Sequence, residues 1–244
     1  MQVLQSLISA LHMDAPVRAV RQGPFQTAVW TRNCGLATTP HESGSHHDEV
    51  PVRDAGTLLE HRAHDLVHMA NSTSPYEAAI GMAAINSLLD VEEDLCVELN
   101  AADLLVQKGS EKRIALVGHF PFVQRLRRQA KELWVIERQP LEDDLPESEA
   151  ERFIPEADVV GITGSAFMNH SLDRLLSLCN SQAYVVILGG TTPLSSVLFE
   201  HGVDAAAGTT VSNPELVLRQ VSEGAVFRQI TGVKRLTLMK DGTT

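Results

Sequence analysis

The stretch from Arg113 to Glu137, RIALVGHFPFVQRLRRQAKELWVIE, decides how the rest of the chain is read. Ile114 to Val117 form an apolar run too short for a helix, and Gly118 interrupts it. Pro121 then opens a segment with Phe122, Val123, Leu126 and Ala130 at helical spacing. A second short apolar run, Leu133 to Ile136, closes on the acidic Glu137. Strand, glycine turn, helix and strand make the first unit of a Rossmann-like sheet, whose ligands sit beyond the carboxyl ends of the strands. The loop Gly118-His119-Phe120 and the strand-end Glu137 are therefore the first candidate binding residues.

No glycine follows Gly118 until Gly161, whereas a pyrophosphate needs repeated glycines for close backbone approach, so NAD is disfavoured. Glu137 reads either as an acceptor for a ribose diol or as a solvated carboxylate beside Arg138.

Downstream, strands and helices alternate: Asp158 to Thr163, a helix from about Asn169 to Leu178, Tyr184 to Leu188, a helix over Leu194 to Glu200, Val203 to Ala207, and a helix from Pro214 to Val221. This alternation predicts a mostly parallel sheet with helices on both faces. Glu142 to Glu156 reads as an acidic connection with a short helix. Two more strand ends, Thr163-Gly164-Ser165 and Gly189-Gly190-Thr191-Thr192-Pro193, share the rim of Gly118 and carry the same glycines and hydroxyls. Such loops place amides and helix N-termini toward an anionic or carbonyl oxygen, although short glycine turns are also how parallel sheets connect. Asn169 reads as a helix cap or a ligand contact.

Upstream, Val3, Leu4, Leu7, Ile8 and Leu11 have amphipathic spacing over residues 1–13. Val17 to Val20, Gln26 to Thr31 and Gly35 to Thr39 read as a small antiparallel meander, and residues 40–49 as an exposed polar loop. One helix is expected from Thr57 to Met69. A second runs from Pro75 to Leu89, with Ser74 as N-cap and the small residues Ala78, Ala79, Gly81, Ala83 and Ala84. The polar punctuation at Gln107 to Lys112 places a domain boundary there, giving an α+β domain over residues 1–108 and a Rossmann-like domain over 109–244.

With 43% hydrophobic and 21% charged residues the composition is globular, and no apolar run spans a bilayer. A net charge of −11 disfavours nucleic acid and anionic membranes as partners. The three scattered cysteines, Cys34, Cys96 and Cys179, suit a reducing, cytoplasmic location. Cys34 reads as a buried small residue or a soft-metal ligand. His61, His64 and His68 follow helical spacing, and His41, His46, His47 and Asp48 precede them; a metal-gripping face and a merely polar one both remain open, with no zinc spacing complete.

The chain resembles a prokaryotic family of unknown biochemical function, the putative heavy-metal chelation domain family. The resemblance rests on Val117-Gly-His-Phe-Pro-Phe122 with Glu137-Arg-Gln-Pro140, on Ala157-Asp-Val-Val-Gly-Ile-Thr-Gly164 with Asn169, and on Leu188-Gly-Gly-Thr-Thr-Pro-Leu194. It continues in Phe199-Glu-His-Gly-Val-Asp204, Gly208-Thr-Thr-Val211, Cys34-Gly-Leu-Ala37, Val52-Arg-Asp-Ala-Gly-Thr-Leu58 and Ala79-Ile-Gly-Met-Ala-Ala-Ile-Asn86. It implies an N-terminal domain like that of enolase, a Rossmann-like C-terminal domain, and a site in the cleft between them that handles a metal or a metal-chelating cofactor. Gly189-Gly190-Thr191 departs from the family's more usual Gly-Pro-Ser.

The resulting expectation is a small-molecule or metal ligand (nickel, cobalt, iron or zinc) held by Gly118, His119, Phe120, Glu137, Thr163, Gly164, Asn169, Gly189, Gly190 and Thr191. Cys34, His119 and Glu137 are the candidate metal ligands, with Cys34 or Asn86 approaching from the first domain. The alternative is an enzyme using a nucleoside-bearing cofactor such as S-adenosylmethionine, with Glu137 on the ribose. Catalysis, oligomeric state (a homodimer included) and the role of the His46-His47 loop stay open at this level.

Overall fold

The computed structural model describes residues 2–40 and 51–240. The histidine-bearing stretch that includes His41, His46, His47 and Asp48 lies outside the described residues.

The chain opens with α1 (Gln2–Ser9), which buries Val3, Leu4 and Leu7 and ends short of the thirteen-residue span its apolar spacing suggests. The antiparallel meander β1 (Ala19–Gln22), β2 (Gln26–Trp30) and β3 (Cys34–Thr38) follows in the expected order. The helix expected from Thr57 to Met69 is instead a 3-10 turn (Leu58–Glu60), the short α2 (Ala63–His68) and a second 3-10 turn (Met69–Asn71). The break has a tertiary cause: His61 and Arg62 are extended, and Arg62 forms a bridge with Pro16.

Next comes α3 (Pro75–Leu88), with Ser74 capping the amide of Glu77 and proline in the first turn. Its small side chains let it lie directly on the meander: a Cβ at Gly35 would stand 2.1 Å from the carbonyl oxygen of Ala83. The meander's other face packs Cys34, Ala28 and Leu36 against Val217, Leu218 and Val221 from far along the chain.

A two-residue strand, β4 (Cys96–Val97), leads into α4 (Ala101–Gly109), a helix in a region without clear pattern, capped by Asn100. The Rossmann-like series then runs β5 (Arg113–Val117), α5 (Val123–Arg127), β6 (Glu132–Glu137), β7 (Leu145–Pro146), α6 (Ala150–Phe153), β8 (Val159–Thr163), α7 (Leu172–Leu178), β9 (Tyr184–Leu188), β10 (Ala205–Val211), α8 (Pro214–Ser222) and β11 (Val233–Met239). The segment expected as a helix from Leu194 to Glu200 is a 3-10 helix over Ser196–His201, ended by Gly202 at φ 82°. Helix α7 begins at Leu172 rather than Asn169.

The large sheet has eight strands in the order β4-β11-β10-β9-β8-β5-β6-β7, with β5 to β10 parallel and β11 antiparallel to both of its neighbours. Counting β5 as the first parallel strand, the order is 3-2-1-4-5-6, that of a doubly wound fold. Its central strands β5, β8 and β9 are nearly unbroken apolar runs because both faces are buried. Ile114, Leu116, Val159 and Val186 point into a core with Leu104, Leu105 and Leu126 on one side. Ala115, Val160, Val185 and Ile187 alternate onto the other side. That second core continues through α1, α2 and α3, so the small sheet's helices and the large sheet share one hydrophobic interior.

Candidate functional site

A doubly wound sheet has a crevice where successive connections turn in opposite directions, here between β5 and β8. The loops leaving those two strands diverge around a cleft of about 900 Å³ lined by Gly118, His119 and Phe120 on one side and Thr163, Ser165 and Asn169 on the other. Glu137, Arg138 and Leu141 extend its wall, and the small unit contributes Thr38, Thr39, Pro40 and Pro75. Phe120 stacks on Phe122 with ring centroids 5.2 Å apart, giving the cleft one apolar side.

His119 is held at three points. Gly118 turns the chain at φ 103°, a conformation that suits glycine. Glu137 Oε2 accepts the His119 amide at 2.9 Å while Oε1 accepts the Arg138 amide at 2.8 Å. The imidazole Nδ1 lies 2.9 and 3.2 Å from the two carboxylate oxygens of Asp144. The Asp144 side chain is only 1% exposed and also accepts the Leu141 amide at 3.2 Å. A carboxylate only accepts, so Nδ1 carries the proton, and in the neutral ring Nε2 is the acceptor left over. Sequence reading missed Asp144, whose one signal was membership of the acidic run Glu142-Asp143-Asp144 just beyond β6.

The third loop has a different task. Thr191, 1% exposed, accepts the Thr38 amide on Oγ1 at 2.9 Å and donates to Thr38 Oγ1 at 3.3 Å. Asn86 Nδ2 donates to the carbonyls of Leu36 at 2.9 Å and Thr191 at 3.1 Å. A Cβ on Gly164 would sit 2.8 Å from the Thr192 amide nitrogen, and one on Gly190 2.6 Å from the Phe227 ring. Gly164, Gly189, Gly190 and Thr191 are thus absent from the cleft wall; Thr191 and Asn86 clasp the small unit to the large sheet behind it. Asn169 does line the cleft, and its Oδ1 accepts the amide and hydroxyl of Ser171 at 3.1 and 2.6 Å, a local turn ahead of α7.

The candidate metal ligands do not converge. Cys34 lies in the separate core beneath α8, where burial, with Glu215 nearby, pushes its thiol up to about 12 and so suppresses the thiolate a metal needs. Both oxygens of Glu137 already serve main-chain amides. His61 precedes α2 in extended backbone, and so cannot share a helical face with His64 and His68. Among the described residues no three His, Cys, Asp or Glu side chains gather as a metal cage. His119 Nε2 alone does not fit a bare ion, which needs several ligands.

A cleft at the turning point of a doubly wound sheet, walled on one side by a small α+β unit, defines a two-unit α/β protein. The chain belongs to the DUF364 family: residues 100–240 match that family, described as "Putative heavy-metal chelation". Residues 4–89 match a companion family, DUF4213, with the same description. The structure resembles a crystal structure of a DUF364 protein of unknown function from Desulfitobacterium hafniense, with a TM-score of 0.85 and 25% identity over 98% of both chains. A second DUF364 protein, from Pyrococcus horikoshii, has the same fold, with a TM-score of 0.80 and 22% identity over 98% of each chain. An uncharacterized protein of Methanocaldococcus jannaschii is 28% identical over 176 residues, 67% of each sequence. Among the described residues no helix is long and apolar enough to cross a membrane.

Proposed function

We propose that this protein binds a small organic molecule bearing metal-chelating donors, free or metal-loaded, in the cleft between the small unit and the large sheet. The observation that carries this reading is a cleft of about 900 Å³, the size of a small-molecule site, that among the described residues offers one imidazole and several hydroxyls and amides but no metal cage. Heavy-metal handling, the family's description, is then achieved by a ligand that brings most of its own donors. Glu137 acts here by holding the His119 loop, and because each of its oxygens accepts one amide and keeps a second lone pair, a nucleoside is carried as a separate arm of the test.

The test is a thermal-shift series on protein purified without a histidine tag. Nickel, cobalt, iron and zinc are added as bare salts and as citrate, histidine and catechol complexes, with S-adenosylmethionine as a separate arm. A ligand that binds only the folded state adds roughly 2.7 kcal/mol at a hundredfold excess over its Kd. Stabilisation by a chelate above that by its bare ion supports the reading. Stoichiometric uptake of bare ions, or stabilisation by S-adenosylmethionine and by no chelate, overturns it.

A further inference from the structure

Asp144 is a nearly fully buried carboxylate whose ion-pair partner, among the described residues, is an imidazole rather than a lysine or arginine. Arg138, which lines the cleft, lies with its Nε 3.6 Å from Glu147. Among the described residues, the charged groups bonded to His119 or lining the cleft with it are Asp144, Glu137, Arg138 and Glu147, and Glu147 is shared between Arg138 and Arg174, the latter 3.8 Å away. A buried acceptor that fixes Nδ1–H orients the ring and leaves Nε2 as the acceptor of the neutral imidazole. His119 is half-buried with its side chain 35% exposed and lies on the cleft wall, so Nε2 is within reach of a bound molecule.

We propose that the His119–Asp144 pair is a proton acceptor built into the cleft, and that the ligand it selects is a weakly acidic oxygen donor such as a catechol, hydroxypyridinone or enol. Chelating oxygens bind metal only after losing their proton, so a base on the cleft wall converts an incoming neutral chelator into its coordinating anion. The ligand O–H bond breaks and its electron pair stays on oxygen. A new N–H bond forms at Nε2, and the imidazolium keeps its Nδ1–H on Asp144. When the ligand leaves, the proton returns to it or passes to water; no oxidant or further reactant takes part. The inference rests on the cleft being a chelator site and adds the ligand class and the group that deprotonates it.

The experiment uses the whole chain with 4-nitrocatechol and tropolone, whose anions absorb at longer wavelength than the neutral forms. The pH is set below the point where either free probe ionises. Expected is an anion spectrum for the bound probe, with binding followed separately by equilibrium dialysis. In Asp144→Asn affinity should fall roughly tenfold, the scale of one charge-assisted hydrogen bond, and the bound probe should be neutral. His119→Gln, at a more exposed position, gives the same spectral loss and serves if Asp144→Asn fails to fold. A neutral spectrum of the probe bound to the unaltered protein overturns the inference, as does an anion spectrum that persists in His119→Gln. If neither probe binds while the citrate or histidine chelates still raise the Tm, the inference falls and the chelate-binding reading stands. If no chelate or probe binds, both fall.

Discussion

Glu137 Oε2 accepts the main-chain amide of His119 at 2.9 Å, so the acid at the tip of β6 sets the position of the loop after β5. Each of its oxygens takes one amide, and no carboxamide can do both. Glu137→Gln would turn an NH2 group toward one of those N–H donors. Urea denaturation should show a loss of about 1–3 kcal/mol. A change within about 0.5 kcal/mol, typical of an unimportant surface site, would show that the loop is held by other means.

The Thr191 hydroxyl is the bolt between the two units. In Thr191→Val the half-buried Thr38 amide loses its acceptor, at a cost of about 1 kcal/mol. Amide hydrogen exchange at Thr38 should quicken, and Thr191→Ser, which keeps the hydroxyl, should restore the protection. Equal exchange in the Val and Ser variants would rule out the hydroxyl as the cause.

Glu77, 1% exposed on α3, accepts from Nε and Nη2 of Arg53, each at 3.0 Å, from the Arg53 amide at 3.0 Å, and from the Ser72 hydroxyl. The Arg53 guanidinium above all, with Ser72 assisting and burial opposing, brings its carboxyl down to about 2. The folded value is lower than the unfolded one, so the stabilisation is complete above the unfolded pKa and is lost as pH falls through the folded one. That window runs from about pH 5 down to pH 2, and the contribution is on the order of 2–3 kcal/mol. The stability difference between the unaltered protein and Glu77→Gln should therefore shrink across this range. A difference that stays constant with pH would rule the ion pair out as its source.

Gly81 lets α3 lie close against the turn at Ala70: an added Cβ would lie 2.0 Å from the Ala70 amide nitrogen, which is backbone and cannot swing aside. Gly81→Ala should cost roughly 3 kcal/mol or more, by overpacking. Gly189→Ala is the control, because Gly189 has φ 114° and nothing within 4 Å of a new Cβ, leaving only backbone strain of about 1–2 kcal/mol. Thermal melts of the two variants should rank them in that order; the reverse order would refute the packing argument.

Local chemistry was enough to place many of the elements. The core strands β5, β6, β8 and β9 announce themselves as short apolar runs because both faces of a parallel sheet are buried, so no polar alternation obscures them. Ser74 with Pro75 marks the start of α3, and Pro214 that of α8, because a cap and its first turn lie within a few residues of each other. Of the residues picked from sequence, His119, Glu137, Thr163 and Asn169 do line one cleft, since strand ends of a parallel sheet fall on one rim. Periodicity reports that a face is buried, however, and not what it is buried against. That α8 covers the small sheet, that β11 closes the large sheet antiparallel, and that Pro16 breaks the helix expected from Thr57 to Met69 are all matters of distant partners. The same holds at the site: Asp144 reaches His119, and Thr191 turns from the cleft to Thr38, only because folding brings together residues 25 and 153 positions apart, a separation over which no local pattern carries information.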